Sequence, residues 1–294
     1  MKFSHQVTSL LLLAAGSTTW ASPLARRINP APLKPRANDY NCKSASHPNP
    51  VVLFHGLLAN QYDDLIALQA YLESYGFCTY ALTYGEYPEF PVIGGLKPIA
   101  DSAQALGNFV FQVQSLTGAL KVDIVGHSEG GFMSLYVPKF IDGISDIVDK
   151  IVSIAPPTHG TDLDGIIDVA YLLGDDIVTL GREAFAALGC PACEELVTSG
   201  SAVVALNDGP IRQGDNSILV VATRTDEIVT PPSTAFFYED GVANRYLQDR
   251  CPLDVSAHVG VVFDSNTWDE VHNWLDPTFH FPSFCSIGSL PVKE

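Results

Sequence analysis

The clearest structural signal in the chain is the sequence Val122-Asp123-Ile124-Val125-Gly126-His127-Ser128-Glu129-Gly130-Gly131. Residues 122–125 are typical of a strand buried in a parallel sheet, and the residues after the turn predict a helix over 129–137, bounded by Pro138. The five residues from Gly126 to Gly130 form a Gly-x-Ser-x-Gly turn between the two. Such a turn strains its serine and exposes the hydroxyl, and the glycines remove side chains that would collide there. A glycine-rich turn with a capping serine would not require this strand and helix, so the sequence favours Ser128 as a nucleophile.

Strands and helices alternate along the rest of the chain. Short apolar runs predict further strands at residues 50–54, 79–83, 151–154 and 218–222, with helices at residues 65–75 and 99–116. This alternation predicts an α/β fold, in which helices flank a mostly parallel central sheet.

The connection over residues 161–207 is too long for an ordinary loop. It contains an apolar stripe at helical spacing, formed by Leu163, Ile166, Ile167, Ala170 and Tyr171. We interpret residues 161–207 as a helical cap or lid insertion. An ordinary helix packed on the sheet would show the same periodicity.

A serine hydroxyl is a weak nucleophile, so it needs a base and a third group that orients the base. In this architecture the chain order is serine, acid, histidine. Among the histidines after Ser128, His258 lies in a turn-like stretch that could present it to the serine. His159 comes too early in the chain, His272 lies in a helical pattern, and His280 belongs to a proline-rich tail. We therefore predict His258 as the base, with a structural histidine in that turn as the alternative.

The predicted acid is Asp226, which follows the strand at residues 218–222. Ligand chemistry in open α/β sheets concentrates at the carboxyl ends of the strands, where Asp226 lies. Glu227 is its main rival, and Asp208 and Asp254 are the others.

Acyl transfer also requires N–H donors aimed at the developing oxyanion. These are usually the N–H of the residue after the nucleophile and one from the loop after an early strand, here Glu129 and Leu57. Gly56 would let the backbone approach the substrate. The alternative is a simple turn that ends the strand.

The chain has 294 residues, of which 47% are hydrophobic, with a formal net charge of −17. This is enough apolar material for one large core or two modest ones, which excludes disordered and collagen-like chains. A chain with this charge would repel a phosphate backbone, so we do not expect nucleic acid as a partner. The apolar run at residues 9–16 is shorter than the roughly 20 residues that span a bilayer, so we expect no transmembrane segment.

The first residues are typical of an exported protein. A positive start, an apolar stretch and Thr19-Trp20-Ala21 predict a signal peptide over residues 1–21 and a secreted, extracellular product. Arg26-Arg27 resembles a dibasic processing site, which predicts a pro-peptide over residues 22–27. We expect residues 28–294 to form a single domain.

Export also determines how the six cysteines are interpreted, because secreted proteins form disulfides. Sequence order favours the pairs Cys42–Cys78, Cys190–Cys193 and Cys251–Cys285. The run Cys190-Pro-Ala-Cys193 also resembles a redox motif, but the helical stretch before it favours a structural clip. No His-Glu-x-x-His spacing is present, so we predict no catalytic metal site.

At four segments the chain resembles the secreted class 2 lipases, an α/β-hydrolase family of bacteria and fungi. The segments are residues 53–57, 126–131, 155–161 and 223–231. The resemblance implies a lipid or ester substrate and no cofactor. We expect the protein to be a monomer, and a lipid–water interface is one place where it would meet its substrate. It also implies the roles already assigned to Ser128, Asp226 and His258 and to the N–H groups of Leu57 and Glu129. The preference for triacylglycerol comes from the resemblance alone.

The chain departs from the family pattern in two places. Glu129 stands where Gln is expected, which places a carboxyl beside an oxyanion donor and suggests an acidic pH optimum. His258-Val259-Gly260 matches the family only loosely. Short-chain esterases, cutinase-like polyesterases and acyltransferases would use the same triad, and a non-catalytic binding protein of this fold would have lost one of its members.

Overall fold

Strands and helices alternate in the computed structural model, which describes residues 38–162, 189–278 and 284–288. The strands are β1 (Val51–Phe54), β2 (Thr79–Ala81), β3 (Val122–His127), β4 (Val148–Ile154), β5 (Ser217–Ala222) and β6 (Val242–Tyr246). The helices are α1 (Ile66–Ser74), α2 (Ile99–Thr117), α3 (Glu129–Phe140), α4 (Ile144–Ile147), α5 (Pro191–Glu195), α6 (Ser201–Leu206), α7 (Leu247–Arg250) and α8 (Ser265–Leu275). Short 3₁₀ helices lie at Pro232–Ala235 and Gly260–Phe263.

The six strands form one sheet in the order β2-β1-β3-β4-β5-β6, and every neighbouring pair is parallel. This confirms the predicted α/β fold with its parallel central sheet. Strand β3 lies between β1 and β4, with Gly126 opposite Phe54 on one side and Ser153 on the other. The turn after β3 therefore leaves the sheet near its middle, where loops from the neighbouring strands converge.

Apolar residues cover both faces of the sheet. Successive side chains of a strand point to opposite faces, so Ile124 packs with α2 and α3 while Val125 packs with α1 and α8. Both side chains are fully buried. Because each strand is covered on both sides, the strands appear in the sequence as continuous apolar runs.

Two elements differ from the sequence-based expectation. Helix α3 does not end at Pro138 but continues through it to Phe140. Strand β6 was not predicted, because its sequence Val-Ala-Asn-Arg-Tyr has no apolar run and its residues are only partly buried. An edge strand has fewer neighbours to bury it, so the apolar signal that identifies central strands is weak there.

Three disulfides link Cys42 to Cys78, Cys190 to Cys193 and Cys251 to Cys285, the same pairs that sequence order favours. All six cysteines lie among the described residues, and none is free. Cys190 is the N-cap residue of α5, and its sulfur accepts the backbone N–H of Cys193 at 3.2 Å.

Several predicted segments lie outside the described residues. These are the signal peptide over 1–21, the pro-peptide over 22–27 and the apolar stripe of the proposed cap, which falls within residues 163–188. The described part of the cap includes α5 and α6. Ala192 in α5, Leu206 in α6 and Leu196 directly after α5 join the same core cluster as α2 and α3. Among the described helices, none is long and apolar enough to span a membrane.

Candidate active site

Ser128 sits at a sharp turn between β3 and α3, with backbone angles φ 54° and ψ −121°. A non-glycine residue rarely adopts a positive φ, so the surrounding structure must enforce it. A Cβ at Gly126 would lie 2.0 Å from the carbonyl oxygen of Gly130, and one at Gly130 would lie 2.0 Å from that of Phe54. Both positions therefore require glycine, as the sequence predicts for a turn that presents a serine hydroxyl.

The structure brings together Ser128, His258 and Asp226. Nε2 of His258 lies 2.8 Å from the Ser128 hydroxyl oxygen, and Nδ1 lies 3.0 and 2.9 Å from the two carboxylate oxygens of Asp226. Because the carboxylate can only accept, Nδ1 carries the proton and Nε2 is free to accept one from the serine. Burial alone would lower the pKa of His258, but the charge and hydrogen bonds of Asp226 outweigh it and raise this pKa above 6.5.

The residues around the triad hold it in place. Asp226 accepts the backbone N–H groups of Ile228 and Val229 at 2.9 and 2.8 Å, which fixes its carboxylate. Glu227, the rival acid, accepts the backbone N–H of His258 at 3.2 Å, so it supports the histidine rather than orienting its ring.

The other candidates from the sequence lie elsewhere. Asp208 is exposed, whereas Asp254 is buried and accepts hydrogen bonds from the Ser256 backbone and the Asn266 side chain. The ring of His159 bonds the carbonyl oxygen of Phe236. His272 lies in α8, and His280 is outside the described residues.

A Cβ at Gly56 would lie 3.2 Å from the Cβ of Ser128, so the residue before Leu57 packs against the serine, and Glu129 directly follows the serine in the chain. Within the described part of the chain, no acceptor bonds the backbone N–H group of Leu57 or Glu129. The peptide that carries the Leu57 N–H is held at its other end, where the Gly56 carbonyl oxygen bonds Nδ1 of His55 at 2.8 Å and the Ala59 N–H at 3.2 Å. In a trans peptide the C=O and N–H point in opposite directions, so these bonds orient the free N–H.

The Glu129 side chain is buried and lies against Gly95. Neither carboxyl oxygen accepts a hydrogen bond among the described residues, and the hydroxyl of the neighbouring Tyr84 donates to the carbonyl oxygen of His55. Burial raises the pKa of Glu129 well above 4.5, Tyr84 lowers it by less, and the charge of Glu195 raises it further. Burial therefore favours the uncharged form of this carboxyl, which resembles the expected Gln more closely than a carboxylate does.

Sequence reasoning missed a second pair, Asp64 and His127, close to the triad. Nδ1 of His127 lies 3.0 and 3.1 Å from the Asp64 oxygens. In the sequence, Asp64 stands out only as the residue before the predicted helix at residues 65–75, and α1 begins after Leu65 without a side-chain cap. No spacing rule could link residues 63 positions apart. The single local signal was the histidine directly before Ser128.

The fold and these side chains define an α/β hydrolase. Solved structures with this fold include lipase B from Aspergillus fumigatus, with a TM-score of 0.63 and 18% identity over 82% of this chain and 55% of that one. This chain therefore spans about half the length of that lipase. An esterase from Pyrococcus furiosus matches with a TM-score of 0.54 and 15% identity, over 78% of this chain and 82% of its own.

The model of the family described as Lipase (class 2) matches residues 48–265, so the chain belongs to the class 2 lipases. The chain is 25% identical to a triacylglycerol lipase from Burkholderia plantarii, over 89% of this chain and 86% of that protein. It is 24% identical to a triacylglycerol lipase from Pseudarthrobacter phenanthrenivorans, over 77% of this chain and 89% of that protein. At family level the protein is a hydrolase of the lipase and esterase class.

Proposed function

We propose that this protein is a secreted serine ester hydrolase that cleaves triacylglycerol or other long-chain esters through an acyl-enzyme on Ser128. The observation that carries the proposal is the position of His258 between Ser128 and Asp226, within hydrogen-bond distance of both. Membership of the class 2 lipases and the two relatives named triacylglycerol lipases support the choice of substrate.

In the acylation step, the Ser128 oxygen attacks the ester carbonyl carbon while its proton passes to Nε2 of His258. The ring becomes positively charged, and the Asp226 carboxylate stabilises that charge. The carbonyl oxygen becomes an oxyanion, which accepts hydrogen bonds from the N–H groups of Leu57 and Glu129. The intermediate then collapses, the bond to the leaving oxygen breaks, and His258 gives its proton to the departing alcohol.

In the deacylation step, water takes the place of the alcohol. The water oxygen attacks the acyl carbon while His258 accepts a proton from the water. A second oxyanion forms and accepts hydrogen bonds from the same two N–H groups. Collapse of this intermediate releases the carboxylic acid and returns the proton to Ser128. An acyltransferase would run the same step with an alcohol in place of water.

The proposed secretion rests on the export-like residues 1–21 and on the three disulfides, which are typical of oxidising compartments. Mass spectrometry of the protein recovered from culture medium tests it. We expect the mature chain to begin at Ser22, or at Ile28 if the dibasic site is also processed. Recovery inside the cell with Met1 retained would contradict secretion.

The catalytic proposal is tested with p-nitrophenyl esters from acetate to palmitate, with and without a lipid emulsion. We compare the wild type with Ser128→Ala and with a control, Ser102→Ala. Ser102 is also buried, but its hydroxyl makes no hydrogen bond within the described residues and it lies in α2. Loss of the nucleophile lowers kcat on the order of 10⁶-fold, whereas the control should stay within about twofold, because it removes only an unbonded hydroxyl.

Each outcome of this comparison discriminates between functions. Cleavage of long chains that Ser128→Ala abolishes supports the lipase. Cleavage of short chains alone supports an esterase or cutinase-like enzyme, and preferred transfer to an added alcohol supports an acyltransferase. Equal inactivity of wild type and Ser128→Ala would contradict a catalytic role and favour a binding protein.

A further inference from the structure

A second buried histidine–carboxylate pair lies beside the triad and has no part in the proposed proton transfers. Asp64 precedes α1, and His127 is the last residue of β3. Their side chains are 7% and 4% exposed, and Nδ1 of His127 is 3.0 Å from the nearer Asp64 oxygen. Their burial at this distance makes the pair part of the interior rather than a surface ion pair.

This pair contacts all three segments that carry the reacting groups. Oδ2 of Asp64 accepts the backbone N–H of Gly56 at 2.7 Å, in the oxyanion loop, residues 55–59. His127 itself belongs to the nucleophile elbow, residues 126–130. Its Nε2 lies 3.1 Å from the carbonyl oxygen of His258, in the histidine loop, residues 254–260. One continuous chain of hydrogen bonds therefore joins the oxyanion loop, the elbow and the histidine loop.

The partners of His127 determine how many protons its ring carries. A carboxylate and a backbone carbonyl can only accept hydrogen bonds, and the two ring nitrogens of His127 face one of each. Both contacts are hydrogen bonds only when each of the two ring nitrogens carries a proton. Among the described residues, the only aromatic ring in contact with the His127 ring is that of His258, and the two ring centroids are 5.0 Å apart.

The ionisation of Asp64 is consistent with this arrangement. Burial would raise the pKa of a carboxyl, but the charge and hydrogen bond of His127 and the N–H of Gly56 hold the pKa of Asp64 below 3.8. The carboxylate thus stays charged in the interior because cationic and dipolar donors surround it.

We propose that Asp64 and a doubly protonated His127 are positioning residues, which hold the oxyanion loop in register with the elbow and the histidine loop. The inference rests on the proposed function, since it concerns where the N–H of Leu57 points during catalysis. Neither residue touches the reacting atoms. Their role is to anchor Gly56, so that the next N–H along the chain faces the oxygen of the bound ester.

Such a role predicts a specific kinetic signature. The oxyanion exists in the transition state and not in the bound ester, so misplacing its donor lowers kcat more than it raises KM. A displacement of about 1 Å at a reacting centre costs about 100-fold in rate. We therefore expect Asp64→Ala, which removes the acceptor for Gly56, to lower kcat by about 10- to 100-fold with KM changed less than about threefold.

A conservative substitution separates positioning from charge. In Asp64→Asn, the amide oxygen can still accept the Gly56 N–H, and the amide N–H can face Nδ1 of His127, which would then lose its proton. We expect Asp64→Asn to recover most of the kcat lost in Asp64→Ala. The matched control is Asp63→Ala, since the exposed Asp63 bonds Asn60 and the Asp64 N–H but neither Gly56 nor His127. We expect Asp63→Ala to retain kcat within about twofold, because it leaves Gly56 anchored.

The experiment measures kcat and KM on p-nitrophenyl butyrate, with active sites counted by phosphonate titration so that misfolded protein does not enter kcat. Affinity for an alkyl trifluoromethyl ketone, whose adduct with Ser128 carries an oxyanion, should fall by the same factor as kcat. Equal kcat in Asp64→Ala and wild type, or a loss carried by KM alone, would overturn the positioning role.

Nitrogen-15 NMR of the His127 ring provides a readout that does not depend on activity. At pH 7 the wild type should show two protonated ring nitrogens, and Asp64→Asn should show one. A wild-type ring with one protonated nitrogen would overturn the proposed charge, and this result can be obtained even if Asp64→Ala fails to fold. If Ser128→Ala is as active as wild type, the proposed function fails, and the NMR still decides the state of the pair.

Discussion

Two histidine–carboxylate pairs lie side by side in this protein, and they differ in one partner. His258 with Asp226 and His127 with Asp64 are both buried, and the two rings are 5.0 Å apart. Each carboxylate bonds Nδ1 of its histidine. Nε2 of His258 faces the Ser128 hydroxyl, whereas Nε2 of His127 faces a backbone carbonyl oxygen.

That partner determines what each histidine can do. A hydroxyl can donate a proton, so a neutral His258 ring can accept the proton of Ser128 and act as a base. A carbonyl oxygen can only accept, so the partner of Nε2 in His127 offers the ring no proton to take up. His55 gives a third case, since its Nδ1 faces the Gly56 carbonyl and its Nε2 accepts the Tyr84 N–H. Its ring is neutral, and burial lowers its pKa to about 4.

The largest difference should appear when each histidine is replaced by Gln. His258→Gln removes the base and should lower kcat on the order of 10⁶-fold, whereas His127→Gln displaces only supporting groups and should cost about 10- to 100-fold. Both values come from steady-state kinetics on p-nitrophenyl butyrate, normalised by the concentration of folded protein from circular dichroism and absorbance. Comparable losses of kcat in His258→Gln and His127→Gln would contradict the assignment of one histidine as the base and the other as a supporting residue.

Replacing the acid of the catalytic pair should have the next largest effect. Asp226→Asn keeps the shape of the side chain but allows the His258 tautomer with its proton on Nε2, which cannot accept from Ser128, and should lower kcat about 10⁴-fold. Glu227→Gln is the matched control, because Gln can still accept the His258 backbone N–H. A larger loss in Glu227→Gln than in Asp226→Asn would make Glu227 the acid.

The catalytic pair could be predicted from the sequence, and the supporting pair could not. Ser128 is marked by its own neighbours, and Asp226 and His258 follow from chain order and from strand ends, so local signals identify all three. The contact between Asp64 and His127 depends on how β1 and β3 lie against each other in the sheet. Apart from the histidine directly before Ser128, the sequence carries no local trace of that contact.

Other differences have similar physical causes. The protonation of Glu129 depends on burial between Gly95 and Tyr84, which residue type alone does not reveal. Strand β6 lies at the sheet edge, where burial leaves a weak pattern. Pro138 lies near the end of α3, so the helix loses the one hydrogen bond that the missing N–H would make and ends two residues later.

Asp123 is a buried carboxyl without a histidine partner, and it differs from Asp64 in how it affects the pH dependence of the free energy of unfolding. Asp123 in β3 accepts hydrogen bonds from the Asn49 side-chain amide and from the Lys150 backbone N–H. Burial raises the pKa of Asp123 from 3.8 to about 7, whereas the pKa of Asp64, which lies beside His127, is lowered. Well below pH 4, Asp123 is protonated in both the folded and the unfolded chain, and the stability that its raised pKa contributes is fully present. As the pH rises towards 7, only the unfolded chain ionises, so the free energy of unfolding falls by about 1.4 kcal/mol per pH unit from this group.

Asp123→Asn tests this slope, because one oxygen of Asp123 accepts both hydrogen bonds and the amide retains it. Urea unfolding between pH 4 and pH 7 should show a smaller decline in the free energy of unfolding for Asp123→Asn than for the wild type. Asp142→Asn, at an exposed position, is the control and should follow the wild type. Identical slopes in all three proteins would show that Asp123 ionises normally in the fold.

The smallest expected effect concerns a charge beside the catalytic pair. Burial raises the pKa of Glu129 and so favours its uncharged form, and we therefore expect a fall in kcat/KM on the alkaline side rather than the acidic optimum that the sequence suggests. Above its pKa the carboxylate would oppose the oxyanion held by the N–H of the same residue, at a cost of about tenfold or less. On the acid side, activity should rise as the pH passes the raised pKa of His258.

Rate profiles from pH 5 to pH 10 on a short-chain ester test this assignment with two opposite substitutions. Glu129→Gln cannot ionise, so it should match the wild type near pH 7 and lose the alkaline fall. Glu195→Gln removes a negative charge that raises the pKa of Glu129, so its alkaline fall should move to lower pH. The amide oxygen of that variant can still accept the Ile99 N–H that Glu195 accepts at 2.7 Å, which keeps the start of α2 intact. An alkaline fall that persists in Glu129→Gln would assign it to another group and leave the two histidine pairs as the main determinants of the pH profile.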